Sequence, residues 1–479
     1  MENRKQKMLL FGIAVGVVLL ALIVLLVVLL AAGGSRSQPV DVSSAVSQSG
    51  ASSAEEESAP AGEPSDGRTT APPESGTASG TQAAAESGGA ESGGAQAVTT
   101  GKQTAGTVQT TTKTTQGEPI MDTTIDTSRY NLYTYTRRYW EGDTVYNESV
   151  YPMTTQNGGN ETVQLLYPAT KILEVRSSDL KTVYQEGRDY QLSDGKLVIP
   201  QGSRIKVNEY NKYYLDESIP DHAMKRLGGG YIYFSEGPTF HNAQIAVTYR
   251  HTAKWTGPTP AKQGNKLPRL TQRIAEKGGL NLVFFGDSIS CGANASSTVG
   301  ASPNAPKWTE MFVEALEAQG VAVTDYNTSV GGQVSSYAVT NVVPKVTRYT
   351  PELVVLGFGM NDASLWNNTS VQQYYENIRA TIIQIREKLP NCEIILLGSM
   401  IPNPEAVEFV GNGYIPQYTE QLKKLANEYS GVVVADMTAV HTHILTRKNY
   451  RDITGNNVNH PNDFISRMYT QVLLDTISR

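Results

Sequence analysis

Cysteine is nearly missing from this chain: its 479 residues hold only two, Cys291 and Cys392. A disulfide-stapled scaffold is therefore excluded, and each domain must bury a core of its own. Charge is sparse too. Charged residues make up 18% of the chain and the net charge is −6, so the basic footprint of a nucleic-acid binder is missing. No cofactor-binding or metal-ligating pattern is read anywhere in the chain. Histidine is also scarce, with six residues to serve any chemistry that needs an imidazole. A length prior of roughly 100–200 residues per domain predicts two domains plus extensions.

What is present changes character along the chain. Residues 1–7 carry Arg4, Lys5 and Lys7. Residues 8–32 are an unbroken apolar run, about 37 Å long as a helix and sufficient to cross a bilayer. The run exceeds the apolar core of a signal peptide, so it reads as an uncleaved anchor. The preceding basic residues predict a cytoplasmic N-terminus and everything beyond the span outside the cell. Residues 33–120 are Ser, Gly, Ala, Thr and Glu with scattered Pro. Such a segment cannot bury enough apolar area to offset ordering, and it reads as a tether.

Residues 121–260 show short runs rich in β-branched and aromatic residues. These are Val163–Tyr167, Ile172–Val175, Leu197–Ile199 and Ile245–Tyr249, with a hairpin turn at Asp194-Gly195. They predict an all-β accessory domain, a sandwich or jelly-roll-like fold. Tyr210, Tyr213 and Tyr214 could stack on sugars, but such residues more often pack on a pleated surface. Residues 270–479 alternate strands with amphipathic helices. Predicted strands are Leu282–Phe285, Val321–Tyr326, Leu353–Gly357, Glu393–Leu397 and Val432–Ala435, and a helix over Asp463–Ile477 closes the chain. That alternation predicts an α/β/α sandwich around a parallel five-stranded sheet.

Four short blocks fall where strands end or a helix begins. Gly286-Asp287-Ser288 follows the first of these strands, and a serine at that sheet edge is placed to be a nucleophile. Asn327-Thr-Ser-Val-Gly-Gly-Gln333 follows the second, and Gly359-Met-Asn-Asp362 the third. Asn457-Val-Asn-His460 precedes the last helix. Acyl transfer needs donors aimed at a developing oxyanion, which Gly332 N–H and the Asn361 amide can supply. It also needs an imidazole to take the serine proton, for which His460 is the candidate. Asp287 and Asp362 read as turn and capping residues. Trp366, just past Asn361, reads either as a wall of an acyl pocket or as plain packing. Asn294 and Asn327 stand in Asn-x-Ser motifs, which read as chance matches because glycans there would crowd the site.

With these blocks in this order, residues from about 280 to 479 resemble the SGNH hydrolases, the GDSL-type esterase and lipase superfamily. The resemblance implies Ser288 as nucleophile and His460 as base. It implies an oxyanion hole made by Ser288 N–H, Gly332 N–H and Asn361. With the β region in front, the layout is similar to two-domain carbohydrate acetyl esterases. An acylated carbohydrate is therefore the expected substrate, with the membrane a second partner through the N-terminal helix. An O-acetyltransferase acting on cell-wall polymer and a non-catalytic surface carbohydrate-binding protein are the alternatives. The chain departs from the family at one point: the Asp usually found three residues before the histidine is Asn457 here. The expected orienter of His460 is a neutral oxygen from Asn457, or else Asp452. On that reading Asn457→Asp is neutral or activating.

Overall fold

Leu282-Val-Phe-Phe-Gly286 has no polar face, and it lies at the centre of the fold. The computed structural model describes residues 125–410 and 412–479. In it, β9 (Gly279–Gly286) is buried throughout its second half. It sits in a five-stranded sheet of order β10-β9-β11-β12-β13. The other strands are β10 (Ala322–Asn327), β11 (Leu353–Gly357), β12 (Glu393–Leu397) and β13 (Val432–Ala435). Every pairing is parallel. β11, β12 and β13 are buried at every position, as strands covered on both faces must be. β10 is an edge strand, and its Thr324 and Asp325 face solvent.

Helices α1 (Pro268–Glu276), α2 (Ser288–Cys291), α3 (Trp308–Glu317), α4 (Ser335–Lys345), α5 (Val371–Lys388), α6 (Tyr414–Glu428), α7 (Met437–Ile444) and α8 (Asp463–Thr476) connect and cover the sheet. The predicted α/β alternation is thus observed. Cys291 and Cys392 are both free. Parallel strands put the end of β9 and the start of β12 at opposite edges of the sheet, which explains why they do not meet.

The region upstream is built from antiparallel β-structure. β1 (Thr144–Val150), β8 (Ile245–His251) and β2 (Ala169–Ser177) form one three-stranded sheet. β3 (Gln191–Ser193) and β4 (Lys196–Val198) form the predicted hairpin, and Asp194 and Gly195 at its turn both have positive φ. β5 (Tyr214–Leu215), β7 (Tyr231–Tyr233) and β6 (Ala223–Lys225) form another small sheet. Where a sandwich of two sheets was expected, the described residues form sheets of three, two and three strands.

Two physical reasons account for the difference. Val163–Tyr167 makes only an isolated antiparallel bridge, Val163 with Leu197, because side chains take the backbone donors at its other end. Leu166 N–H donates to Glu148 Oε1 at 2.9 Å and Tyr167 N–H to the Tyr249 hydroxyl at 3.1 Å. In addition, the first sheet packs on α8 rather than on a second sheet. Arg467 on α8 donates to the carbonyls of Tyr146 and Asn147 on β1. Lys448 Nζ lies 2.7 Å from Glu148 on β1, and both side chains are fully buried. Asp475 near the end of α8 accepts from Arg138 and from the Trp140 indole, each at 2.8 Å. α8 is buried from Phe464 to Thr476 as a result, and the described residues form one compact unit.

The apolar run over residues 8–32 and the linker over 33–120 lie outside the described residues. Among the described residues, no helix is long and apolar enough to cross a membrane.

Candidate active site

Strand β9 ends at a glycine because nothing larger fits. A Cβ on Gly286 would stand 2.2 Å from the Gly357 carbonyl oxygen and 2.4 Å from Ser290 Oγ. The chain then turns at Asp287, whose carboxylate caps α2 by accepting from Ile289 N–H at 3.0 Å. Ser288 is thereby the first residue of that helix, where a backbone N–H has no intrahelical partner. Asp287 is almost fully buried, and burial raises its carboxyl to about 7, with the nearby Asp362 charge adding to the rise.

The loop after β10 is laid across the end of β9. Thr328 N–H donates to the Phe284 carbonyl and Val330 N–H to that of Gly286. A Cβ on Gly331 would lie 3.7 Å from Ser288 Cβ, so this loop runs alongside the serine. Gly332 adopts φ +74, which favours glycine. The loop after β11 brings in Asn361, whose amide donates to the Gln333 carbonyl at 3.0 Å. Ser288, Gly332 and Asn361 are thus gathered at one sheet edge, with the second Asn361 amide hydrogen left over. Asp362 turns away from them. It accepts from Ser335 N–H and Oγ–H at the start of α4, the capping role read from the sequence.

His460 arrives from the loop before α8. Its Nε2 lies 2.9 Å from Ser288 Oγ. Its Nδ1 lies 2.7 Å from Asn294 Oδ1 and 3.4 Å from Glu236 Oε2. An amide oxygen and a carboxylate oxygen can only accept, so Nδ1 carries the proton and Nε2 is free to accept one from Ser288.

The expected orienters are elsewhere. Asn457 Oδ1 accepts from the Tyr213 hydroxyl at 2.8 Å and from Asn403 at 3.2 Å, and its amide donates to the Tyr233 carbonyl at 2.8 Å. Asp452 Oδ1 accepts from Tyr151 N–H at 2.7 Å, and its other oxygen faces Lys448 at 3.5 Å. Both side chains are consumed in holding the β region, and neither is among the partners of the imidazole. Asn294 and Glu236 take that place. In the sequence Asn294 shows only as part of an Asn-x-Ser motif, and it is in fact 3% exposed. Glu236 lies more than two hundred residues from His460 in sequence, and no motif links them.

Trp366, five residues past Asn361 in the chain, is 66% exposed and held edge-on against Phe409 with ring centroids 5.4 Å apart. Tyr213 is buried, and Tyr214 packs against Tyr213 and beneath the guanidinium of Arg226. These tyrosines pack rather than present a stacking face.

Residues 284–466 match the model of the GDSL-like lipase/acylhydrolase family. No curated protein matches the chain. Among solved structures, a two-domain esterase active on acetylated mannans, co-crystallised with mannopentaose, is similar at 17% identity. The match covers 46% of this chain and 54% of that one, with a TM-score of 0.35. The chain thus spans about half the length of that esterase. An acetylxylan esterase from Geobacillus stearothermophilus is similar at 18% identity, covering 42% of this chain and 94% of its own, with a TM-score of 0.35. Residues 284–466 thus carry a match to the GDSL-like lipase/acylhydrolase family, and within them Ser288, Gly332, Asn361 and His460 stand in the order seen in the SGNH hydrolases.

Proposed function

We propose that this protein is a serine esterase that removes acetyl groups from carbohydrate outside the cell, tethered to the membrane by its N-terminal apolar segment. The observation that carries the reading is the hydrogen bond between Ser288 and the unprotonated nitrogen of His460, with the other imidazole nitrogen already engaged. A serine is activated by such a base.

The reaction follows from that geometry. Ser288 Oγ attacks the acetyl carbonyl while His460 Nε2 takes its proton. The tetrahedral oxyanion is stabilised by Ser288 N–H, Gly332 N–H and the free amide hydrogen of Asn361. Collapse expels the sugar hydroxyl, which receives the proton from His460. Water then repeats the sequence on the acetyl-serine. The acceptor capacity of Asn294 holds the imidazole in the tautomer this requires.

The carbohydrate part of the reading is supported by the exposed indole of Trp366, five residues past Asn361, a flat apolar surface of the kind that sugars cover. The membrane part is supported by the long apolar run and the basic residues before it. The test uses the full-length chain purified in detergent. It is offered a small acetyl ester, acetylated mannan and xylan oligosaccharides, and an unacetylated acceptor sugar. Release of acetate supports the reading, transfer to the acceptor would replace it with an acetyltransferase, and inertness of a folded protein would overturn it. Protease digestion of intact cells tests the membrane part, which predicts loss of residues 121–479 to external protease.

A further inference from the structure

The imidazole of His460 is served by an upstream part of the chain. Glu236 sits in the loop that leaves β7, and its Oε2 is 3.4 Å from His460 Nδ1. The carboxylate is held from its other side, where Oε1 accepts from Asn456 Nδ2 at 2.9 Å. Asn456 is fully buried, and its Oδ1 accepts from the backbone N–H groups of Val458, Asn459 and His460. One side chain therefore fixes both the backbone of the histidine and the carboxylate beside it. The loop is tied to the hydrolase region at three further points. Asn457 Nδ2 donates to the Tyr233 carbonyl, Ser235 N–H donates to the Asn456 carbonyl, and Asn294 Nδ2 donates to the Gly237 carbonyl. Partial burial pushes the Glu236 carboxyl up. The hydrogen bonds it accepts from His460, Asn456 and Asn294 and the attraction of the imidazolium outweigh that and keep it below the usual carboxylate range.

Resting on the esterase reading above, we infer that Glu236 is the positioning carboxylate of this site, supplied by the β region in place of the acid missing at Asn457. Asn294 alone sets the tautomer, but an amide oxygen leaves the imidazolium formed during attack without a compensating charge. Glu236 provides it. The contact at 3.4 Å is long for the neutral imidazole and shortens when the ring gains a positive charge. The substitution at Asn457 is part of the same arrangement, because its amide grips the strand that delivers Glu236. The β region is thus a component of the catalytic centre.

The effect is smaller than in a buried triad. Glu236 is 54% exposed, and Asn294 still holds the ring when the charge is removed. Glu236→Gln keeps an oxygen for Asn456 and removes only the charge. The expected result in the full-length enzyme is a fall in kcat of about ten- to thirtyfold with KM within about twofold and an unchanged melting temperature. Glu236→Ala should lose at least as much and be partly restored by added formate, which fits the vacated space. A purely structural role would show neither the kcat-only loss nor the rescue. Glu236→Gln at wild-type kcat, or a folded Glu236→Ala that formate does not rescue, would overturn the inference while leaving the esterase reading intact. A wild-type enzyme inert on every acetyl ester would instead overturn that reading and the inference with it.

Discussion

The side chain of Asn457 donates to the carbonyl of Tyr233 at 2.8 Å, three residues before Glu236. The position that usually carries the family's acid holds an amide here because its job requires a donor. A carboxylate can accept from Tyr213 and Asn403 but cannot donate to Tyr233.

Asn457→Asp is therefore expected to be harmful, the reverse of what the family pattern suggests. The residue is fully buried, so the change sets a charge against an orphaned carbonyl. The cost is about 2–4 kcal/mol of stability. Activity should fall as the Glu236 loop loosens. Thermal melting and kcat measured on the same preparation check this, and a variant as stable and as active as wild type would refute the docking role.

Ser288 and Asn361 separate chemistry from folding. The hydroxyl of Ser288 bonds to the imidazole of His460 and does not tie the fold together, so Ser288→Ala should leave the melting temperature unchanged. Turnover should fall by about 10⁴ or more. Asn361→Ala should lower kcat by about 10²–10³ with little change in KM, because its free amide hydrogen meets the oxyanion only in the transition state. An Asn361 variant impaired only in KM would place that side chain in substrate binding instead.

Much of this site was legible in the chain because strand ends punctuate it. Buried parallel strands are near-continuous apolar runs, so their carboxyl ends mark where Ser288, Gly332 and Asn361 fall. The orienters of His460 were not legible. Asn294 has the left-handed conformation, with φ +60, and reaches the imidazole from a turn that carries no periodicity. Glu236 is brought in by a tertiary contact across 224 positions. The upstream fold was legible as β-type but not as separate sheets. The segment Val163–Tyr167 gave the Leu166 and Tyr167 N–H groups to the Glu148 and Tyr249 side chains, and the partner layer of the first sheet is a helix more than two hundred residues away. Composition cannot show either choice.

Asp452 belongs to structure. It shares the buried ammonium of Lys448 with Glu148 and accepts from Tyr151 N–H, which pins β1 to the hydrolase region. Burial works against the charge of Lys448, and the two carboxylates more than offset it, holding its pKa above the usual lysine range. Lys448→Met would strand two buried carboxylates and should cost about 3–5 kcal/mol. Asp452→Asn should lower the melting temperature by a few degrees while kcat stays within about threefold. A collapse of kcat in a folded Asp452→Asn enzyme would return that residue to the catalytic site.

Asp287 sets a pH dependence on the fold. Its carboxyl titrates near 7 in the folded protein because burial disfavours the charge, against roughly 3.9 in an unfolded chain. The folded state therefore binds this proton more tightly. The stability it contributes is complete below about pH 4, declines as pH rises toward 7 and is gone above that. Asn at this position keeps an oxygen for Ile289 N–H and carries no charge. Asp287→Asn should match wild type at pH 4 and exceed it by about 2–4 kcal/mol at pH 8. Melting temperatures of the two proteins taken between pH 4 and pH 9 should diverge steadily up to about pH 7 and then run parallel. Curves that stay parallel over the whole range would mean that Asp287 is ionised in the folded protein, its charge met by the α2 amides.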